Sequence, residues 1–322
     1  PAYNIYFKMK SEIDINDAEK RMEIAKMYNR SLKYFRYKKR FSYLHVSKAF
    51  RVDLTVVKKS SQLSESLSLS GTLSQLEHYE IEIEFLNNEH SEKLDNDKCV
   101  EILFDCIDIL LELIENSNFI IKNDEKESVL NEYLLLVTSI SSHNMKYILQ
   151  NPRQYFLSYQ PVTLEKHNLM ESALDNLSIF DNYTVTEKTD GERYLLYVNS
   201  IGKMYTIDTR LNVRFTGLTS KYTNSICDGE FVKYSKFNTL INRFMCFDIY
   251  FANGVDVRDL PLVGDESRVT EIEKFISNTP KSEFFAIFAK QFYFDKNNIF
   301  NVIKKVFDYD KYEYHIDGLI FT

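Results

Sequence analysis

Six consecutive residues, Tyr79-Glu80-Ile81-Glu82-Ile83-Glu84, alternate between apolar or aromatic side chains and carboxylates. The two-residue period of a β-strand sorts such a run into one acidic face and one apolar face. Three carboxylates in a row repel one another unless something cationic neutralises them. Mg2+ or Mn2+, hard cations that take oxygen ligands, meet that need; an amphipathic strand with a solvated acidic face is the plainer alternative. Two upstream segments carry the complementary pattern. Arg36, Lys38 and Arg40 alternate within residues 32–44, and Arg51, Asp53 and Thr55 within residues 49–58. Both segments read as strands, rich in aromatic and β-branched residues. Set beside the glutamate strand in a closed barrel, they line a lumen with carboxylates on one wall and cations on another. Such a lumen holds a metal and grips phosphates with Arg and Lys. It suits cleavage of a terminal phosphate by metal-activated water.

The chain is long enough for about two domains. Its net charge of -7 argues against non-specific coating of nucleic acid. No run of about 20 apolar residues exists, which excludes an ordinary transmembrane helix. Cys99, Cys106, Cys227 and Cys246 form no CxxC pair and fit reduced thiols. Helical spacing covers residues 14–31, with Asp14 or Asn16 as N-cap, and residues 91–116 and 127–149. The serine-rich stretch 60–74 reads as a mobile surface loop. Residues 4–10 are a strand candidate without glutamates. From residue 183 onward short strands are expected over 183–186, 194–198, 204–208, 230–234, 243–250, 284–289 and 319–322.

Glycine is scarce, yet three of the eight follow aspartate, at Asp190-Gly191, Asp228-Gly229 and Asp317-Gly318. Each alone suits a type I′ turn. Their flanks say more. Lys188-Thr189-Asp190-Gly191-Glu192-Arg193 lies between two strand-like segments. Covalent nucleotidyl transfer needs an amine held near phosphates with its charge lowered by its surroundings, and a loop between strands presents such a lysine. Cys227-Asp228-Gly229-Glu230, then Phe244-Met245-Cys246-Phe247-Asp248, then His315-Ile316-Asp317-Gly318-Leu319-Ile320-Phe321 follow in that order.

The first constellation resembles the triphosphate tunnel metalloenzymes, specifically the RNA triphosphatases of capping enzymes, with their RxKxR, RxDxT and ExExE strands. The second resembles the lysine nucleotidyltransferases, which include mRNA guanylyltransferases and polynucleotide ligases. Together they resemble the multifunctional mRNA capping enzymes of large DNA viruses, the mimivirus type above all. The resemblance implies an α+β chain: an antiparallel β-barrel, the triphosphate tunnel, with helices, followed by an antiparallel-sheet nucleotidyltransferase domain lacking its OB-fold. The expected limits are 1–122 for the triphosphatase domain, 123–155 for a helical linker and 156–322 for the guanylyltransferase domain. Lys188 is the implied nucleophile. Asp190, Arg193, Arg210, Glu230 and Phe247 are the implied nucleotide contacts, with Phe247 stacking on the purine. Asp317, Glu80, Glu82 and Glu84 are implied to hold Mg2+ or Mn2+, and Arg36, Lys38, Arg40, Arg51 and Asp53 to hold phosphates. The implied substrates are GTP and 5′-triphosphate or 5′-diphosphate RNA. A methyltransferase domain or subunit and a viral RNA polymerase are the expected partners, and the cytoplasm, in a viral factory or virion, is the expected location. Three departures stand out. The family's early ExE strand is missing before Arg36, its lysine-rich strand is missing after Thr322, and the gap from Asp248 to Asp317 is long. With Pro1 rather than Met at the start, they lead us to expect a fragment incomplete at both ends, with an insertion over 254–281. An ATP-dependent polynucleotide ligase and a non-catalytic scaffold are the rival readings.

Overall fold

The computed structural model describes residues 15–28, 31–115, 117–138, 145–170, 178–180, 182–295 and 298–322. The strand expected over 4–10 and the candidate cap Asp14 lie outside the described residues. The chain forms two compact units, one within residues 5–114 and one within residues 115–322.

In the first unit, helix α1 (Ala18–Tyr28) begins at Asp17. The Asp17 carboxylate accepts from the backbone N–H groups of Glu19 and Lys20 at 2.9 and 3.3 Å, so it takes the capping place expected of Asp14 or Asn16. Strands β1 (Arg36–Leu44), β2 (Phe50–Lys59) and β3 (His78–Phe85) form an antiparallel sheet in that spatial order. Helix α2 (Asn96–Glu115) covers part of its apolar face, with Ile102 and Cys106 packed against Phe50, Val52 and Ile83. The expected closed barrel is not formed among the described residues. The sheet stays open, because β1 and β3 each pair along their length with β2 alone. Among the described residues, three strands in this order leave both outer edges unpaired, and a barrel closes only when its edge strands pair.

The serine-rich stretch is not a free loop. Lys33 and Ser64 exchange backbone hydrogen bonds of 2.8 and 2.9 Å, Ser60 Oγ accepts from Phe35 N–H, and Ser70 and Thr72 are buried with their hydroxyls 2.5 Å apart. Serine hydroxyls stand in for missing backbone partners, which is how a segment of this composition is pinned.

The second unit starts with helices α3 (Asn123–Thr138) and α4 (Met145–Gln150), where a single helix over 127–149 was expected. Residues 139–144 lie outside the described residues. Next come β4 (Val185–Thr189), β5 (Glu192–Val198), β6 (Lys203–Asp208), β7 (Val213–Thr219), β8 (Ser225–Tyr234), β9 (Leu240–Ala252) and β10 (Val255–Asp256). Helix α5 (Arg268–Ser277), β11 (Ala286–Ala289), α6 (Ile299–Val306) and β12 (Ile316–Phe321) complete it. The large sheet runs β10-β9-β8-β5-β6-β7, with β11 added to β9. It is mixed rather than purely antiparallel, since β11 runs parallel to β9. Parallel neighbours need a long crossover, and α5 supplies it; the stretch expected as an insertion is this connection.

Both faces of the large sheet are covered. Leu195 and Tyr197 point into a core shared with Val129, Leu130, Tyr133 and Leu134 of α3. Leu196 and Val198 point into another shared with Ile272 and Phe275 of α5. Burial on both sides explains why Tyr194 to Val198 reads as an unbroken apolar run. β4 and β12 form a separate two-stranded sheet, with Val185 packed against Ile299, Val302 and Val306. Among the described residues no helix is long and apolar enough to cross a membrane.

Candidate active site

Lys188 stands on β4 opposite Gly318 of β12, beside an irregularity in the register between Ile316 and Gly318. Its Nζ donates to Asp317 Oδ2 at 2.8 Å, and both side chains are about half exposed. The hydrogen bond that Lys188 donates to Asp317 raises the lysine pKa above its usual value, against the opposing effect of burial. The charges of Asp317, Glu230 and Asp190 add to the rise. Asp190 follows β4 in a turn whose backbone N–H donates to the His315 carbonyl at 3.0 Å. The turn packs tightly, since a Cβ on Gly191 would come within 2.9 Å of the Phe231 carbonyl oxygen. Of the three Asp-Gly pairs only this one is a turn. Asp228-Gly229 sits inside β8 and Asp317-Gly318 inside β12.

Arg193 on β5 is the Cα partner of Glu230 on β8. Its guanidinium donates to both oxygens of the fully buried Asp228, at 3.1 and 2.6 Å, and to the Tyr159 carbonyl at 2.9 Å. Tyr250 Oη donates to Asp228 Oδ2 at 2.6 Å. Burial pushes the Asp228 carboxyl up, against the hydrogen bonds and charge of Arg193. Bidentate pairing holds the guanidinium plane fixed, and that plane lies 5.4 Å from the Phe247 ring centroid.

Lys290, absent from the expected site residues, approaches the same ring at 5.6 Å. It is buried, donates to the Glu187 carbonyl at 3.0 Å, and lies 3.7 Å from Glu230 Oε2. Its own backbone N–H donates to the Cys246 carbonyl, one residue before Phe247. It therefore ties β4 to the large sheet. Burial lowers the Lys290 pKa and raises that of Glu230. Glu230 Oε2 is buried without a hydrogen-bond partner. With Asp317, it provides hard oxygen donors of the kind that suit Mg2+ or Mn2+.

Asp248, the neighbour of Phe247, and the expected nucleotide contact Arg210 engage other partners. Asp248 turns away to Arg268 of α5, at 2.7 Å, and anchors that helix. Arg210 lies exposed in the β6–β7 turn, on the side of β5 away from β8, where its backbone N–H donates to the Asp208 carboxylate at 2.8 Å. Nothing joins it to the Lys188 cluster among the described residues.

In the first unit, antiparallel register sets Arg51 opposite Glu84, Asp53 opposite Glu82, and Thr55 opposite both Glu80 and Arg40. Acids and bases are thus neighbours on one open face, not on opposing walls of a lumen. Arg36 pairs with Glu80 at 2.5 Å, Arg40 with Asp53 at 2.9 Å and Glu82 at 2.7 Å, and Arg51 with Asp53 and Glu84. Lys38 is exposed on the same face. Burial works to raise the Asp53 pKa, but hydrogen bonds from Ser42 and Arg51 and the charges of Arg51 and Arg40 hold it below the usual carboxylate value. Arginines therefore neutralise the glutamates here. Among the described residues no group of three or more His, Cys, Asp and Glu side chains is placed to hold a metal ion.

Comparison with known proteins bears on both units. The family model for the mRNA capping enzyme catalytic domain matches residues 137–322, more than half of the chain. The model for the mRNA capping enzyme beta chain matches residues 2–126. A probable mRNA-capping enzyme of Acanthamoeba polyphaga mimivirus is 25% identical over 259 residues, covering 79% of this chain and 19% of that protein. The chain thus spans about a fifth of the relative's length.

Proposed function

The chain belongs to the mRNA capping enzyme catalytic-domain family, and from that premise we propose that Lys188 accepts GMP from GTP and passes it to the 5′-diphosphate end of RNA. The observation that carries this reading is the contact of Lys188 with Asp317 beside the Glu230–Lys290 and Arg193–Asp228 pairs. Lys188 Nζ, once deprotonated, attacks the α-phosphorus; a P–N bond forms and the bond to pyrophosphate breaks. A terminal RNA phosphate oxygen then attacks the same phosphorus, the P–N bond breaks, and the amine is restored. Arg193, held in plane by Asp228, faces the phosphate or ribose, and Phe247 offers a ring for the purine. Asp190 acts on Lys188 by charge. Arg210 has a part only if the β6–β7 turn moves toward bound nucleotide. Glu230 and Asp317 would hold Mg2+ or Mn2+, which supplies charge neutralisation at the phosphates.

For the first unit we propose removal of the RNA 5′ γ-phosphate. Arg36, Lys38, Arg40 and Arg51 would meet phosphates, and Asp53 would orient Arg40 and Arg51. Glu80, Glu82 and Glu84 are oxygen donors of the kind a divalent ion takes, but each is engaged by an arginine. A methyltransferase and an RNA polymerase are the partners this reading calls for, because the GpppN cap leaves the enzyme unmethylated and the RNA end must be newly made.

Incubation with α-labelled GTP or ATP tests the nucleotidyltransferase reading. Label from GTP, lost in Lys188→Ala, is expected. Label from ATP alone supports the ligase, and no label from either supports the scaffold.

A further inference from the structure

The turn between β8 and β9 gathers basic and aromatic side chains in a chain whose net charge is -7. Residues 231–247 contain Lys233, Lys236 and Arg243 and no acid. The turn presents its rings outward. Phe237 is 76% exposed, and Tyr234 and Leu240 are exposed beside it. Cations accompany the rings: Lys236 Nζ lies 5.5 Å from the Phe237 centroid and Lys233 Nζ 5.8 Å from that of Tyr234.

The turn is also rigidly built. Buried Ser235 accepts the backbone N–H groups of Phe237 and Thr239 on its hydroxyl, each at 3.1 Å, and its own N–H donates to the Thr239 carbonyl at 2.8 Å. Asn238 takes the left-handed conformation the bend requires, at φ 59°. An exposed phenylalanine on a pinned turn is costly to leave in water and cheap to use for binding, since little freedom is lost when a partner stacks on it.

The turn is tied to the nucleophile. Lys236 N–H donates to the Glu313 carbonyl at 2.8 Å, Lys236 Nζ donates to the Tyr309 carbonyl at 3.1 Å, and Arg243 pairs with Glu313. Glu313 precedes Asp317 by four residues, so their Cα atoms are at most about 14 Å apart. Asp317 in turn holds Lys188.

We propose that this turn docks the single-stranded 5′ segment of the acceptor RNA, with Phe237 and Tyr234 stacking on bases and Lys233 and Lys236 meeting phosphates. Unpaired bases expose their faces for such stacking whereas duplex bases do not. The identity of the acceptor rests on the capping reading, but the surface is testable apart from it.

The probe is a fluorescent single-stranded RNA of about ten nucleotides with a 5′-diphosphate, a length within the span such surfaces cover. Its binding to the full chain is followed by anisotropy at several salt concentrations. Phe237→Ala is expected to weaken binding about tenfold. Lys236→Gln is expected to reduce the slope of log affinity against log salt by about 0.7. Both variants should keep the melting temperature and the labelling of Lys188. Unchanged affinity in Phe237→Ala, absence of RNA binding by the unmodified chain, or equal competition by a polyglutamate peptide would each overturn the proposal. If the unmodified chain binds RNA through Phe237 yet takes label from neither GTP nor ATP, the docking surface stands and the capping reading falls.

Discussion

Lys188 is poised as an ammonium, not as a nucleophile, in the free protein. Its contact with Asp317 stabilises the charged form, so attack requires that this counter-charge be drawn away or the proton removed. Asp317→Asn should therefore lower the pH at which Lys188 becomes reactive toward an amine reagent without nucleotide present; an unchanged profile would show that Asp317 does not set its pKa. The raised pKa also means that the stability this pair adds is present at neutral pH and is lost as pH rises through the folded-state value. Both groups are half exposed, so that stability is small, under about 1 kcal/mol. Lys290 presents the opposite case. It is buried, and its removal strands the Glu230 carboxylate. Lys290→Met should cost about 3 kcal/mol in chemical denaturation, and Glu230→Gln in the same chain should recover part of that loss. A fully additive double variant would mean that the two do not interact.

Strands and helices carry their own consequences. The β1–β3 sheet gathers Arg40, Arg51 and Asp53 around a carboxylate held below its usual pKa. Its contribution to stability is complete above the unfolded value of about 3.9 and disappears as pH falls through the folded one. Asp53→Asn should accordingly flatten the acid dependence of unfolding of the first unit below about pH 4; a profile as steep as before would assign that dependence to other groups. In the second unit, one hydroxyl adds hydrogen bonds to the apolar packing between α3 and the segment before β4. Tyr133 Oη donates to the Tyr155 carbonyl and accepts from Leu157 N–H, each at 2.8 Å. Tyr133→Phe leaves both backbone groups unpaired and should cost about 1–3 kcal/mol in thermal or chemical unfolding.

Across the whole molecule, the two charged constellations lie in different compact units and share no residue. Lys188→Ala should abolish nucleotidyl transfer and spare release of the RNA γ-phosphate, and Arg40→Ala should do the reverse; loss of both activities in either variant would contradict this division. Local pattern made much of this readable from residue order. The alternation of Glu80, Glu82 and Glu84 allows only one strand face, and the lysine of a Lys-x-Asp-Gly run can be singled out before any fold is known, although it stands on β4 and not in the loop expected between strands. Contacts between distant segments were not readable in that way. Nothing in the run Ala286 to Phe292 marks Lys290 as the buried partner of Glu230, because burial is set by packing against β4 and β9. Register likewise made the acids and bases of the first unit cross-strand neighbours, since strand pairing, not composition, decides which side chains meet. Period and residue type belong to the chain itself; burial, pairing and the open edge of a sheet come from segments far apart in sequence, and only the tertiary structure brings those together.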